Sequence, residues 1–262
     1  MRFDVFTLFP EVFDPYIHTS ILHRAAINQL IQVNLYNIRD WAEDKHHTTD
    51  DTPFGGGGGM VMKPEPLFAA VEEITGNPPE CPVILMSPQG GMLTFQKAVE
   101  LSHLPRIALI CGRYEGVDER VIEHLVTEEV SIGDYVLSGG ELPALVLIEA
   151  LTRLLPGALG DPTGAIDDSF SNGILEYPHY TRPAKFRGWE VPQVLMNGNH
   201  KEISLWRRKQ SLLRTLTKRP DLIEPANFDK QDKKLINQLF EEGLISEIVR
   251  LSALSTKKQL NK

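Results

Sequence analysis

The sequence predicts an α/β fold built around a parallel sheet. Short apolar runs rich in β-branched residues alternate with stretches whose apolar residues recur at helical spacing, which is typical of strands joined by crossover helices. Three of the runs end abruptly in glycine-containing loops, at 87–91, 111–120 and 131–141. Ligands of open α/β sheets bind beyond the carboxyl ends of the strands, so we expect these loops to converge on one small ligand.

The elements are predicted from their local patterns in chain order. The strand-like runs, some with the loop that follows, are 3–10, 32–38, 82–91, 106–116 and 128–140. Helical spacing is found at 11–30, 66–74, 94–103, 117–126 and 142–155. The segment 157–183 is rich in Gly, Pro, Asp and Ser and is predicted to be a connection, and the chain from about 190 is predicted to be helical.

Charge divides the chain into two parts. The net charge is −8, but residues 1–160 carry 10 Lys/Arg against 22 Asp/Glu, whereas residues 161–262 carry 17 against 13. We therefore expect an acidic ligand-binding α/β domain at 1–160 and a basic helical domain at 184–262, joined at 161–183 by a connecting loop whose dense polar residues are typical of a functional loop. Within the last, Ile203–Pro220 holds six basic residues and no acid. This stripe is either a phosphate-binding surface or a solvated helix face.

Composition excludes other classes of protein. Only Cys81 and Cys111 are present, which rules out a disulfide framework and favours a cytoplasmic protein with reduced thiols. The most apolar helical stretch, 142–151, is too short to span a bilayer and contains Glu149. The first residues lack the pattern of a secretory signal. We expect no association with a membrane.

Five consecutive glycines at 55–59 require a separate explanation. They are not a phosphate-binding P-loop because no Lys-Ser/Thr follows, and Met60 breaks the GxGxxG register. A flexible linker is the alternative, but the run is short and lies between Pro53–Phe54 and an apolar stretch at 60–62. A tight loop against which a flat or bulky group lies is the better interpretation.

Several longer motifs together resemble one family. They are PFGGGGGMVM (53–62), LMSPQG (85–90), CGRYEGVDERVIE (111–123), EEVSIGDYVLSGGELPALVLIEA (128–150), DDSF (167–170), PHYTRP (178–183), GNHKEI (198–203) and WRRKQSL (206–212). In this order they resemble the bacterial tRNA (guanine-N1)-methyltransferases of the TrmD family, from the first residue to about Leu222. One departure is Gly58, where the family usually has proline.

The resemblance implies a fold, a cofactor and partners. The fold is the SPOUT type, in which the C-terminal part of a parallel sheet is tied in a trefoil knot, an exception to the rule that chains avoid knots. The methyl donor is S-adenosylmethionine. The substrate is the anticodon branch of tRNA, with guanosine 37 preceded by another G, and DNA is not a partner. The family acts as a homodimer with each site at the subunit interface, and its catalysis is reported to require Mg²⁺.

The resemblance also assigns residues. The cofactor loops fall on Ser87, Pro88, Gln89 and Gly90; on Gly112, Tyr114, Glu115 and Gly116; and on Ser131, Ile132, Gly133, Asp134, Tyr135, Val136, Leu137, Ser138, Gly139 and Gly140. The glycine loop, with Gly58 and Gly59, is expected to be a wall beside the cofactor and the target base. Further substrate contacts are expected at His179, Tyr180, Arg182, Arg207, Arg208 and Lys209, of which the first three could equally be packing or turn residues.

Two residues match the family's catalytic pair. The N1 atom of guanine carries a proton that must leave as the methyl group is transferred, and Asp168 matches the general base. Loss of the proton places negative charge mainly on O6, which Arg153 would stabilise. By residue type alone, Asp168 could be a loop or N-cap residue, and Arg153 could complement the dipole of its helix.

Other polar and aromatic residues are interpreted structurally. Glu115, Asp118 and Glu119 look like a metal cluster but are better explained as acids around a helix start, and the pair at 46–47 as a solvated loop. The magnesium position is not predicted. Trp206 has helical spacing from apolar leucines and is expected in the core.

Two other functions are compatible with parts of the sequence. The chain could be a SPOUT methyltransferase for another RNA nucleotide, although DDSF and PHYTRP argue against this. It could also be a non-catalytic RNA-binding protein with a vestigial pocket, which intact Asp168, Arg153 and all three glycine loops disfavour.

Overall fold

The chain forms two compact units. The computed structural model describes residues 1–160, 168–224 and 227–254. The first unit spans Met1–Pro162 and the second spans Thr163–Lys262.

The first unit contains a five-stranded sheet and a small hairpin whose two strands have two residues each. Its strands are β1 (Arg2–Thr7), β2 (Gln32–Asn37), β5 (Val83–Met92), β6 (Arg106–Cys111) and β7 (Glu128–Ser131), and the hairpin strands are β3 (Asp50–Asp51) and β4 (Val61–Met62). The sheet order is β2-β1-β6-β5-β7, and every pairing in it is parallel. The prediction of a parallel sheet is confirmed.

Helices cover both faces of this sheet. They are α1 (Asp14–Ile17), α2 (Ser20–Ile27), α3 (Pro64–Thr75), α4 (Phe95–Ser102), α5 (Glu119–His124) and α6 (Glu141–Leu154). Along β6, Ile107 and Leu109 belong to the cluster that also contains residues of α2, α4 and α6, whereas Ala108 and Ile110 belong to the cluster on the α3 and α5 side. Because both of its faces are buried, β6 is a nearly continuous apolar run, with the sequence RIALIC.

The helical segment predicted at 11–30 is broken in the structure. It consists of a 3₁₀ turn at Pro10–Val12 followed by α1 and α2. Thr19 has an extended backbone, and its hydroxyl donates to the carbonyl oxygen of Pro15 at 2.6 Å. A hydroxyl that bonds back to the preceding turn competes with helix continuation, and this explains the break.

The second unit has its own apolar cluster. After an irregular stretch it contains β8 (Lys185–Phe186), β9 (Trp189–Glu190), α7 (His200–Lys218), α8 (Lys230–Glu241) and α9 (Glu247–Leu254). Leu212 and Leu216 of α7 pack with Leu235 and Leu239 of α8. The hairpin of β8 and β9 was not predicted.

The prediction for Trp206 is wrong. Its side chain is half-buried outside this cluster, and its ring centroid lies 6.3 Å from that of Tyr180. Leu205, beside it, is 41% exposed. Among the described residues no helix is both long and apolar enough to cross a membrane.

Candidate functional site

Three loops of the first unit surround one cavity of about 280 Å³. Two of them follow β6 and β7, whereas the segment predicted as a loop at 87–91 is the second half of β5, where the pairing with β7 is interrupted between Met86 and Gly91. The three strands are neighbours in the sheet, so these segments lie side by side at its carboxyl end. Of the residues predicted to hold the cofactor, the lining includes Ser87, Pro88, Gln89, Gly112, Tyr114, Glu115, Gly116, Ser131, Ile132, Gly133, Tyr135, Val136, Leu137, Ser138, Gly139 and Gly140. The sequence pattern thus brings these residues to one place.

Gly90 and Asp134 are not among the lining residues. A Cβ at Gly90 would lie 2.3 Å from the carbonyl carbon of Glu129 and 2.5 Å from the backbone nitrogen of Val130. Such distances are impossible for real side chains, so Gly90 allows β5 to pass close to β7. The neighbouring Gly91 has open space at its Cβ position.

The loop after β6 is connected to the glycine loop by backbone hydrogen bonds. The amide of Glu115 donates to the carbonyl of Met60 at 3.0 Å, and the amide of Met62 donates to the carbonyl of Gly116 at 2.9 Å. Tyr114 has φ 61°, a conformation that is uncommon for a residue with a side chain. These bonds place the β3–β4 hairpin against the cavity loop.

The five glycines differ in their backbone conformation and in the space around their Cβ positions. Gly55, Gly56, Gly57 and Gly59 have positive φ, which favours glycine, whereas Gly58 does not. At Gly59 a Cβ would also lie 2.2 Å from Oε1 of Glu115. The Cβ positions of the other four are open. The run is therefore an ordered hairpin end with free space beside it, and Phe54 before it is fully exposed.

The loop after β7 returns across the end of β6. The amide of Gly140 donates to the carbonyl of Gly112 at 2.9 Å. A Cβ at Gly140 would lie 2.7 Å from Cα of Cys111. The absence of side chains there allows two backbone segments to cross in close contact.

Arg113 and Glu141 join these loops through a buried ion pair that the sequence did not reveal. Nε of Arg113 lies 2.9 Å from Oε2 of Glu141, and Thr7 donates to Oε1 of Glu141 at 2.8 Å. Glu141 is 2% exposed and Thr7 is fully buried. The Arg113 guanidinium also lies 4.4 Å from the Phe9 ring centroid. Since Thr7 and Glu141 are 134 residues apart, no local motif could have shown this contact.

Both acidic and apolar side chains line the cavity. Glu115, Glu119 and Glu129 line it, together with Arg113, which is paired with Glu141. Leu85, Ile122, Val130 and Pro143 contribute apolar surface. This arrangement favours a ligand with a flat apolar part and a positive charge.

The two predicted catalytic residues belong to different units. Arg153 lies in the last turn of α6 in the first unit. Asp168 lies in the second unit and lines a cavity of about 550 Å³ with Glu176, His200 and Arg207, among others. Its backbone carbonyl accepts hydrogen bonds from the amide and hydroxyl of Ser171. Asp167 is outside the described residues.

The basic residues of α7 have different surroundings. The Arg207 guanidinium lies 4.6 Å from the Tyr177 ring centroid. Arg208 donates two hydrogen bonds to the carboxylate of Asp232, at 2.7 and 2.8 Å, and these bonds raise the pKa of the Arg208 guanidinium. Lys209 pairs with Glu242 at 2.6 Å. Asp232 lies on α8 and Glu242 directly follows it. The sequence of the basic stripe alone therefore could not show that Arg208 and Lys209 are neutralised.

The other predicted substrate residues lie in the irregular stretch before β8. Nε2 of His179 is 3.7 Å from a carboxylate oxygen of Glu176, and the His179 ring lies 4.9 Å from that of Tyr177. Tyr180 is 50% exposed, and Arg182 is also exposed.

Of the three acids expected around the start of a helix, Asp118 has that structural role, whereas Glu115 and Glu119 line the cavity. Asp118 is the N-cap of α5, and its carboxylate accepts from the backbone and the side chain of Arg120. These hydrogen bonds, side chain first, lower the pKa of Asp118 despite partial burial. Within the described part of the chain, no three His, Cys, Asp or Glu side chains form a group that could hold a metal ion.

Comparison with known proteins identifies a family. The sequence model of tRNA (guanine-1)-methyltransferase TrmD matches residues 1–225. This range includes all three cavity loops, the glycine loop, Arg153 and Asp168.

Curated relatives agree with this match. A tRNA (guanine-N(1)-)-methyltransferase of Dehalococcoides mccartyi (strain CBDB1) is 54% identical over 243 residues, covering 92% of this chain and 98% of the relative. Proteins of the same name from Brevibacillus brevis and Moorella thermoacetica are each 56% identical, covering 92% and 91% of this chain and 99% and 96% of the relatives. The chain therefore belongs to the tRNA (guanine-1)-methyltransferase family, TrmD.

Proposed function

We propose that this protein, a methyltransferase by family, transfers the methyl group of S-adenosylmethionine to N1 of guanosine 37 of tRNA when another guanosine precedes it. The observation that carries the proposal is the cavity, where three loops of a family member converge and the glycine loop is bonded to the rim. The relatives' names state the same base and atom. The position in the tRNA comes from the resemblance.

The cavity suits the proposed cofactor. S-adenosylmethionine supplies an electrophilic methyl group on a positively charged sulfur when bound. Leu85, Ile122 and Pro143 would pack against its adenine ring, and the carboxylates of Glu115 and Glu129 favour a positive charge nearby. The glycines leave backbone groups of the three loops accessible for hydrogen bonds to its polar ends.

Asp168 and Arg153 are proposed to perform the proton and charge chemistry. The Asp168 carboxylate accepts the N1 proton of guanine as the methyl group is transferred, and Arg153 stabilises the negative charge that develops on O6. The leaving thioether is neutral and needs no proton. Positioning of the base against the methyl group accounts for the remaining rate enhancement.

A homodimer with a site at each subunit interface completes the proposal. An apolar surface on the first unit supports it, because Val136, Leu142 and Val146 are 82%, 57% and 47% exposed. Leu142 and Val146 are four residues apart on α6 and lie on one face of it, and an exposed apolar face is typical of an interface. The close crossing of Gly140 over Cys111 supports a trefoil knot of the SPOUT type.

The second unit is proposed to bind the anticodon branch. We assign 1–160 to the knotted cofactor domain, 161–183 to the loop carrying the base, and 184–262 to a helical tRNA-binding domain. The exposed side chains of Tyr180 and Arg182 and the Arg207 guanidinium support RNA contact. Magnesium dependence and a cytoplasmic location, where tRNA is found, belong to the same proposal.

The test is methylation of an unmodified tRNA transcript with G36 and G37. We expect incorporation of labelled methyl and a stop in primer extension at position 37, because a methyl on N1 blocks the base-pairing edge. A transcript with A37 should remain unlabelled, and chelation of Mg²⁺ should reduce the rate. Asp168→Asn should nearly abolish turnover while calorimetry shows unchanged cofactor affinity.

Three results would contradict this proposal. Methylation at another nucleotide would indicate a SPOUT enzyme of different specificity. Tight cofactor binding with no transfer by the wild-type protein would indicate a non-catalytic RNA-binding protein. A normal rate for Asp168→Asn would remove Asp168 as the base.

A further inference from the structure

The segment Tyr177–Trp189 has a composition unlike the rest of this acidic chain. Its thirteen residues include three cations, Arg182, Lys185 and Arg187, and four aromatic residues, Tyr177, Tyr180, Phe186 and Trp189. It contains no Asp or Glu, although the chain as a whole has a net charge of −8. Basic residues interleaved with aromatic ones are typical of surfaces that bind nucleic acid.

Within this segment, β8 and β9 form a tight hairpin. Phe186 pairs directly with Trp189, and Arg187 and Gly188 form the two-residue turn with φ 51° and 88°. Positive φ at both central residues is the pattern of a type I′ turn, whose twist matches that of the strands it joins. A further hydrogen bond from the amide of Val191 to the carbonyl of Ala184, at 2.9 Å, extends the pairing.

The hairpin presents two aromatic rings on one face. Residues directly opposite each other on paired strands point to the same side, and the Phe186 and Trp189 ring centroids are 6.3 Å apart. The Arg187 guanidinium lies 5.2 Å from the Phe186 centroid. Two rings and one planar cation therefore form a continuous surface.

This surface is exposed. Phe186 is 55% and Trp189 is 70% exposed, and neither belongs to the apolar cluster of the second unit. Lys185 is paired with Glu190 at 2.7 Å, whereas the Arg187 guanidinium lies over the Phe186 ring. A small hairpin with exposed aromatic rings is marginal in water, so a partner that covers the rings would stabilise it.

We propose that the hairpin at 185–190 is a stacking platform for an unpaired base of the RNA substrate, separate from the site of methyl transfer. Aromatic and guanidinium planes both stack on exposed bases, and the positive charge complements the phosphates. The proposal rests on the proposed function, which supplies tRNA as the partner. The one acid of the hairpin, Glu190, is paired with Lys185, and Arg187 beside the Phe186 ring supplies the positive charge that favours RNA over a second copy of this acidic chain.

Trp189 provides a direct spectroscopic test. The chain has three tryptophans, so Trp41→Phe with Trp206→Phe leaves Trp189 as the only fluorescent indole. After this background is shown to bind unmodified tRNA with wild-type affinity, titration with that tRNA should quench the Trp189 emission, because the ring stacks on a base. An equal amount of double-stranded RNA without unpaired bases should quench much less.

The matched binding experiment compares three variants of the full chain. Trp189→Ala should raise the Kd for tRNA about tenfold, in the range measured when a base-stacking aromatic is removed. Trp189→Phe should stay within about twofold, since a ring remains. Ile248→Ala, which truncates another exposed apolar residue of the second unit, should have no effect. Cofactor affinity should be unchanged in all three.

The outcomes separate this proposal from the proposed function. Wild-type tRNA affinity in Trp189→Ala, or an unquenched Trp189 in the tRNA complex, would overturn the platform while leaving methylation intact. Dissociation of the oligomer in sedimentation, with tRNA affinity per oligomer unchanged, would assign the hairpin to a subunit interface and also overturn it. Failure of the wild-type protein to bind or methylate tRNA would instead overturn the proposed function.

Discussion

The cavity of the first unit and the segment Tyr177–Trp189 of the second are built in opposite ways. Around the cavity, side chains are absent where backbones approach each other, as at Gly90 and Gly140. In the segment, little regular backbone is present and large side chains project into solvent. Adding side-chain atoms at glycines should therefore disturb the cavity, whereas truncating large side chains should impair the function of the segment Tyr177–Trp189.

Charge shows the same contrast. Glu141 is buried beside the cavity and is held by Arg113 and Thr7, so its charge organises the loops. In the second unit Asp232 is buried against Arg208, but the adjacent Arg207 lies against the Tyr177 ring. Neighbouring arginines on one helix thus have different tasks, one structural and one suited to a ligand.

The largest effect is expected for Glu141→Gln. Removing one charge of a buried pair leaves the other without compensation, which costs about 3–5 kcal/mol in unfolding free energy. Urea denaturation measures this cost, and calorimetry should show weaker cofactor binding in the protein that remains folded. Glu123→Gln, on the exposed side of α5, is the control and should be neutral. Equal denaturation midpoints for Glu141→Gln and wild type would show that the pair does not hold the loops.

Two adjacent glycines test sensitivity to added atoms. Gly90→Ala should destabilise by about 1–3 kcal/mol and lower cofactor affinity, because its Cβ would meet the backbone of Glu129 and Val130. Gly91→Ala should change stability by less than about 1 kcal/mol, since its Cβ position is open. Thermal unfolding measures the change in stability of each variant. If they behave alike, close backbone approach is not the reason for Gly90.

Asp4 offers a stability test on β1, an interior strand of the same sheet. Burial raises the pKa of the Asp4 carboxyl, but hydrogen bonds from Asn34, Arg106 and Arg2 outweigh it, so the net pKa is lowered. A lowered folded-state pKa contributes stability above the unfolded value of about 3.9, and this stability is lost as the pH falls. Asp4→Asn should thus be less stable than wild type at pH 7.

The difference between Asp4→Asn and wild type should shrink as the pH falls below about 4, because the unfolded chain then takes up a proton at Asp4 that the folded protein still excludes. It should vanish below the lowered folded-state pKa of Asp4. Melting temperatures of Asp4→Asn and wild type from pH 3 to 8 measure this difference in stability. Cofactor affinity should not change, since Asp4 is not among the residues that line the cavity. A pH-independent difference would mean that the ion pairs of Asp4 contribute nothing to acid stability.

The smallest effects separate Arg207 from Arg208. Arg207→Gln should weaken tRNA binding severalfold and reduce the salt slope by about 0.7–0.9, as for one lost phosphate contact, with stability unchanged. Arg208→Gln should instead lower stability, because Asp232 loses its partner. Binding titrations at several salt concentrations and urea denaturation distinguish the two. An unchanged salt slope for Arg207→Gln would show that Arg207 makes no phosphate contact.

The functional site was partly predictable because much of it is local in sequence. Each glycine-containing segment is continuous with the apolar run of its own strand, so those at 87–91, 111–120 and 131–141 could be identified without the fold. That 87–91 continues β5 beyond an interruption in its pairing could not be predicted. The helix start at Asp118 was equally local. The hairpin at 185–190 was not found, because its strands have only two residues each and give no periodic signal.

The sequence by itself determined the strand–helix alternation, the position of the glycine loops and the separation of acidic and basic parts, since these depend on neighbouring residues. Only the tertiary structure decided that Arg113 pairs with Glu141 and Thr7, that Gly90 makes room for β7, and that Asp232 neutralises Arg208. Each of these contacts joins residues that are distant in sequence. Their partners are selected by packing, which buries a charge only where an opposite charge or a hydrogen-bond donor is already in place.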